Sequence, residues 1–264
     1  MAESPADSTT DCTADCALRP FVHLIAGPTG VGKSAAANDL ARVTGAPVVV
    51  ADRLQCFTDL ATTSARAGGQ APGVRRYWLG DRTVADGDLG AKAAAESLFD
   101  LVERLSARHR FVIVEGGSIS LLRVLAARCA TQPWELSVRV LPLPAYDEYV
   151  EALTGRALTM LAPPAPDRSL LEELATLWTD PRQRRFAASV NGFEAVLECC
   201  AKYSLDVETI HKQVLPAPVL SRMASLIALR HAEHGILQSR VFTETFEKRV
   251  PGPVFDPGML GRAA

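Results

Sequence analysis

Apolar runs alternate with stretches of helical spacing through the first half of the chain. Phe21 to Ala26 (FVHLIA) is a short apolar run ending in a glycine-rich turn, and Lys33 to Val43 (KSAAANDLARV) follows as an alanine-rich helix. Pro47 to Ala51 (PVVVA) is a second apolar run that stops at Asp52 and closes a strand-helix-strand unit. Gly90 to Ala107 (GAKAAAESLFDLVERLSA) again has helical spacing. Phe111 to Val114 (FVIV) is a wholly apolar strand ending at Glu115-Gly116-Gly117, and a last strand is predicted around Leu136 to Leu141. Strands without polar alternation are buried on both faces, so the pattern predicts a parallel sheet flanked by helices, with its site at the carboxyl ends of the strands.

From about residue 145 the pattern changes. Helical stretches are separated by Pro163-Pro164, Pro181, Gly192 and Pro216 to Pro218, with little strand signal. The organisation expected is a polar disordered tail over 1–19, an α/β core over 20–144, a mainly helical lobe over 145–242 that closes the active site, and an irregular Pro/Gly-rich tail over 243–264.

The turn after the first strand, Gly27-Pro28-Thr29-Gly30-Val31-Gly32-Lys33-Ser34, fits G-x-x-x-x-G-K-[ST] completely, with a strand before it and a helix after it. The fold class expected is therefore an α/β P-loop NTPase-like sheet with a helical C-terminal lobe. Gly30 and Gly32 let backbone N–H groups turn around phosphate oxygens, Lys33 neutralises the outer phosphate, and the Ser34 hydroxyl is a ligand for Mg²⁺. The loop binds either a nucleotide for phosphoryl transfer or a diphosphate that is itself a leaving group. Asp52, 20 positions beyond Gly32, stands at a strand end facing the cleft. It is either a general base, worth about 10²–10⁴-fold, or a turn cap. Glu115 is either a metal-directed acid or a structural one.

Charge narrows the partners. A net charge of −2 gives no broad cationic field for nucleic acid. No run reaches the roughly 20 apolar residues of a membrane helix, and the N-terminal residues are acidic, so the setting expected is the cytoplasm. The six cysteines, at 12, 16, 56, 129, 199 and 200, form no matched metal-ligand clusters. Arg182, Arg184 and Arg185 read as a solvated helix face, and Trp134 and Trp178 as core anchors.

Seven segments carry a resemblance. They are GPTGVGKS, ADRLQC (Ala51 to Cys56) with Ser64 and Arg66 downstream, RRYWLGDR (Arg75 to Arg82), VEGGSISLL (Val114 to Leu122), LTGRALTML (Leu153 to Leu161), LATLWTDPR (Leu174 to Arg182) and ALRHAEHG (Ala228 to Gly235). In this order, over roughly residues 21 to 242, the chain resembles the bacterial adenylate isopentenyltransferases (adenylate dimethylallyltransferases), which serve cytokinin biosynthesis and are related to tRNA dimethylallyltransferases. The resemblance implies transfer of a dimethylallyl group, or its hydroxylated relative, from the diphosphate to N6 of AMP, with Mg²⁺ as cofactor. Asp52 then accepts the N6 proton, Thr29 and Lys33 contact the diphosphate, Ser64 and Arg66 meet the nucleotide, and Arg156 closes over the phosphates. Where the family has a motif near D-G-Y-R, this chain has Asn191-Gly192-Phe193-Glu194, so Asn191 and Phe193, with His234, are the residues expected around the prenyl chain.

A tRNA-modifying enzyme would carry a longer chain and a basic face, so no tRNA partner is expected. The oligomeric state stays open, a monomer being compatible with the sequence. The alternative is a small-molecule or nucleotide kinase using the same P-loop, with residues 162–190, which include the Arg182–Arg185 segment, as its lid.

Overall fold

The computed structural model describes residues 19–66 and 71–247. Five strands form one wholly parallel sheet: β1 (Phe21–Ala26), β2 (Val48–Val50), β3 (Arg76–Trp78), β4 (Phe111–Gly116) and β5 (Glu135–Val140), in the order β3-β2-β4-β1-β5. Helices α1 (Lys33–Thr44), α2 (Ala91–Ser106) and α3 (Ile119–Arg128) connect them. The lobe that follows holds α4 (Tyr146–Leu161), α5 (Leu170–Trp178), the four-residue α6 (Arg184–Ala187), α7 (Phe193–Tyr203) and the 31-residue α8 (Ala217–Glu247). Among the described residues no helix is long and apolar enough to cross a membrane.

The α/β class is as the apolar runs predicted, because strands such as β1 and β4 are buried on both faces. Val22, Leu24 and Val114 pack on α2 and α3 through Leu98 and Leu122, while Ile25, Val48 and Ile113 pack on α1 through Ala37 and Ala41. Two elements differ from the pattern. β3 was not predicted: three half-buried residues at a sheet edge give no periodic signal, and its Arg-Tyr-Trp composition hides a strand whose neighbours fix it. β4 runs on through Glu115 and Gly116, past the point where apolarity stops. A Cβ on Gly116 would lie 2.3 Å from the Ala51 carbonyl oxygen, so only glycine lets these two chain segments run so close.

The packing does not divide at residue 145. Phe57, Leu60 and Val84, from the first half, belong to the lobe's apolar core with Leu174, Phe193 and Ile227. Val241, Phe242 and Phe246, from the end of α8, belong to the sheet-side core. That burial is why α8 continues through residues 243–247, where an irregular tail was expected. The rest of that tail, the N-terminal tail up to residue 18, and Cys12 and Cys16 lie outside the described residues.

Candidate active site

The P-loop links β1 to α1. Gly30 and Gly32 have φ of 76° and 89°, in the left-handed region that side chains disfavour, and a Cβ on Gly30 would meet Leu153 at 2.7 Å. Helix α1 starts at Lys33 with no side-chain cap and no acid in its first turn. Its first N–H groups are therefore left for an anion.

Charged groups crowd behind the loop. The Lys33 ammonium donates to the Pro28 carbonyl at 2.6 Å. Burial lowers its pKa, against the pull of Glu115 and Asp52. The Ser34 hydroxyl donates to Glu115 Oε1 at 2.8 Å, and Glu115 is ion-paired to Arg76, both side chains being 2% exposed. Glu115 is thus a structural acid that orients Ser34. The Ser34 lone pairs are left facing the cradle, since its proton is committed to the carboxylate.

Asp52 lies two residues beyond the end of β2 and does two things at once. Its Oδ1 caps the following turn by accepting the Leu54 N–H at 2.9 Å, and the side chain lines both cavities of the site. Burial raises its pKa, opposed by that hydrogen bond and by Lys33.

The smaller cavity, about 260 Å³, lies over the P-loop and is walled by Gly30, Gly32, Lys33, Ser34 and Glu115. The larger, about 820 Å³, has an apolar side of Leu54, Phe57, Val84, Phe186 and Val190 and a polar side that includes Asn191, His231 and His234. Thr29, Asp52, Ser64 and Arg156 line both, so the two spaces meet at these four residues. Arg156 makes no hydrogen bond or ion pair with the described residues, and burial lowers its pKa. An uncommitted, desolvated guanidinium at the junction is a ready anion ligand.

The sequence-predicted residues therefore gather, with two exceptions. Arg66 lines neither cavity. It is spent on the Gln55 and Gly80 carbonyls and Asp81, and stacks over Trp78 at 4.5 Å, so it braces the loop and does not face a nucleotide. Phe193 is wholly buried in the lobe core, because Gly192, at φ 100°, turns the chain between it and Asn191. Asn191 and His234 do line the large cavity, whereas Glu194 is at the surface beside Arg230. The solvated-face reading of Arg182 and Arg185 agrees with the structure, in which both are exposed, the Arg182 side chain at 91%; both also line the large cavity. Arg184 pairs with Glu208 and stacks on Trp178, which is half-buried, while Trp134 is a buried core residue.

Two residues escaped the sequence reading. The Thr29 N–H donates to Gln238 Oε1 at 2.8 Å, and the Thr29 carbonyl accepts from the Tyr149 hydroxyl at 2.6 Å. The remaining end of Gln238 donates to the Gly117 carbonyl at 2.6 Å. The P-loop threonine is thus held at both peptide groups by lobe helices α8 and α4. His231, His234 and Gln238, at helical spacings of three and four, share one face of α8, and that spacing was the available signal.

A model of the isopentenyl transferase family matches residues 20–252. The chain is 39% identical over 228 residues to an adenylate dimethylallyltransferase of Rhodococcoides fascians, covering 86% of this chain and 89% of that one. It is 34% identical to one of Ralstonia solanacearum (84% and 93% covered) and 32% identical to one of Agrobacterium fabrum (89% and 96%). The fold is similar to a tRNA isopentenylpyrophosphate transferase of Bacillus halodurans, with TM-score 0.64, 12% identity, and 85% and 87% of the chains covered. It is also similar to a eukaryotic dimethylallyltransferase acting on tRNA, with TM-score 0.60, 15% identity, and 88% and 73% covered.

Proposed function

The chain belongs to the isopentenyl transferase family, and from that premise we propose that it is a prenyltransferase moving a dimethylallyl group, or its hydroxylated relative, from its diphosphate to the N6 amine of AMP. Diphosphate leaves, and the product is a prenylated nucleotide of the cytokinin type, made in the cytoplasm by a chain that carries every group named here.

The observation that carries the reading is the junction of the two cavities at Thr29, Asp52, Ser64 and Arg156. A diphosphate in the small cavity and a nucleotide in the large one would bring their reacting atoms together at those residues. The exocyclic amine of a purine is a weak nucleophile, and Asp52 is the carboxylate positioned to take its proton as the C–N bond forms. Lys33, Arg156 and the first N–H groups of α1 meet the charge that grows on the departing diphosphate. The apolar side of the large cavity, with Phe57 and Phe186 edge to face at 5.1 Å, keeps water from the allylic carbon.

Mg²⁺ belongs to this reading too. Among the described residues no group of three or more His, Cys, Asp or Glu side chains could hold a metal alone. Mg²⁺ commonly takes few protein ligands and completes its shell with substrate phosphate and water. Ser34, its proton held by Glu115, fits as that ligand, and the ion would supply charge neutralisation of the leaving group.

The relatives are named as dimethylallyltransferases, so the kinase alternative is set aside. AMP is favoured over tRNA as acceptor because the relatives at 32–39% identity are adenylate enzymes, whereas the tRNA enzymes match at 12–15% and support the fold alone. The test is mass spectrometry of the purified protein with Mg²⁺, dimethylallyl diphosphate and, separately, AMP, ADP, ATP and adenosine. One prenyl unit added to AMP with diphosphate released is the expected result. No adduct on any acceptor would sink the proposal.

A further inference from the structure

Ser64 is 8% exposed, lines both cavities, and its hydroxyl has no hydrogen-bond partner among the described residues. A buried hydroxyl left unpartnered in a cavity wall is a group kept for a ligand. Its direction depends on a short turn. The Ser64 N–H is bonded to the Leu60 carbonyl at 2.9 Å, and Ala65, the next residue, sits at φ 59°, where a side chain carries backbone strain.

Another part of the chain holds that turn. Glu173, on α5, is 2% exposed and accepts three hydrogen bonds: from the Thr62 N–H at 2.8 Å, from the Thr63 N–H at 2.9 Å and from the Thr63 hydroxyl at 2.6 Å. The Thr62 hydroxyl adds a fourth tie, to the Arg168 carbonyl at 2.5 Å. Among the described residues no cation is ion-paired to Glu173, and Arg168 is committed to the Glu172 carbonyl and Thr176. A carboxylate buried with no cation in contact, Arg168 acting on it only from a distance, is costly, and an apolar residue would fill the same space more cheaply. What the carboxylate uniquely supplies is acceptors for two successive N–H groups and a hydroxyl, with no donor of its own to clash.

We propose that Glu173 is a positioning residue for the acceptor: by gripping Thr62 and Thr63 from the helical lobe, it aims the Ser64 hydroxyl at the junction where the nucleotide and the diphosphate meet. This rests on the reading that the large cavity receives the acceptor nucleotide. It adds a residue that touches neither substrate and that sets affinity for one of them.

The test is calorimetric titration of the full-length protein with AMP and, separately, with dimethylallyl diphosphate. It is applied to the wild type, Glu173→Gln, Ser64→Ala and the double variant, with thermal melts to confirm folding. Glu173→Gln puts an amide donor against the Thr62–Thr63 donors. It is expected to weaken AMP about tenfold, the scale of one hydrogen bond to a charged group, while the donor's Kd stays within about twofold. Ser64→Ala should weaken AMP similarly, and the double variant should be no worse than the weaker single, because both act through one hydroxyl. Should Glu173→Gln melt below the assay temperature, Thr63→Val, which removes one of the three donors, carries the same comparison with about a threefold effect expected.

Unchanged AMP affinity in Glu173→Gln, equal losses for both ligands, or additive effects in the double variant would overturn the proposal. A wild type that binds AMP and makes no prenylated nucleotide refutes the proposed reaction and leaves this comparison in force. A wild type that binds no AMP refutes both.

Discussion

Gly235 lies well inside the 31-residue helix α8, where glycine costs about 1 kcal/mol relative to alanine, so Gly235→Ala ought to stabilise the chain on helix propensity alone. The packing predicts the reverse. A Cβ at this position would lie 2.0 Å from the Tyr149 hydroxyl oxygen, 2.9 Å from Cζ and 3.1 Å from Cε1. Tyr149 is 2% exposed, so its ring has nowhere to step, and its hydroxyl is bonded to the Thr29 carbonyl of the P-loop. Overpacking of this kind costs about 1–3 kcal/mol and the lost hydrogen bond about 1 kcal/mol, so the propensity gain leaves a net loss of roughly 1–3 kcal/mol. In a chain of about this size each kcal/mol lowers Tm by about 2–4 °C. Thermal unfolding followed by circular dichroism reads the loss. A donor titration should show weaker dimethylallyl diphosphate binding, since Thr29 is released. Tyr149→Phe in the Gly235→Ala background removes the nearest atom and should recover part of the Tm but not the donor affinity. If Gly235→Ala melts at or above the wild type and binds donor normally, the inferred contact between α8, Tyr149 and the P-loop is wrong.

Asp52→Asn is expected to slow prenyl transfer by about 10²–10⁴-fold in single-turnover measurements while diphosphate binding by calorimetry stays near wild type. Because burial raises the Asp52 pKa and the base must be ionised, the wild-type rate should fall as pH drops through a value above the ordinary carboxylate range, a limb absent from Asp52→Asn. Gln238→Leu, which strips the hydrogen bonds from Thr29 and Gly117, should raise the donor's KM more than AMP's in steady-state assays. Chelation should abolish turnover and added Mg²⁺ restore it, with Ser34→Ala raising the Mg²⁺ requirement. His231 is buried, with its pKa lowered to about 4 from 6.5, so the unfolded chain takes up the proton first and stability is lost as pH falls from 6.5. The 1.5 units between pH 6.5 and 5, at about 1.36 kcal/mol each, amount to about 2 kcal/mol. His23 shifts likewise, so denaturant midpoints should show His231→Gln removing about half of their joint acid sensitivity.

The sheet was legible because the apolar runs of β1, β2 and β4 are buried on both faces and give way to chemistry: the P-loop, Asp52 and Glu115. β3 was not, because three half-buried residues at a sheet edge carry no period, and their strand state comes from β2 alongside. In the site, Thr29, Lys33, Ser34 and Asp52 could be found because strand ends and the glycine-rich turn fix their places locally. Arg66 and Phe193 were misplaced for one reason: a short motif names a segment but not the side of the chain that faces the cavity. Asp81 and Trp78 decided it for Arg66, and the left-handed Gly192 for Phe193. Arg182 and Arg185 are exposed, as their segment suggested; what that segment could not reveal is the cavity they also line, which Phe57 and Val84 wall from the other half of the chain.

What the sequence concealed most completely is that the lobe does more than cover the sheet. Thr29 is held at its N–H by Gln238 and at its carbonyl by Tyr149, 209 and 120 positions away, and the Ser64 turn is held by Glu173, more than 100 positions away. Each contact crosses between the two halves, and each ends on a backbone group of a loop that meets both cavities. The α/β half on its own would keep the P-loop sequence and lose the partners of the Thr29 peptide and of Thr62 and Thr63. Those groups would then turn to water. A reaction through an allylic, water-sensitive carbon benefits from the opposite arrangement, in which the elements that exclude water also fix the loops that hold the two substrates. In this fold the same helices do both, so loss of lobe docking should remove donor and acceptor binding together, whereas Gln238 and Glu173 variants should separate them.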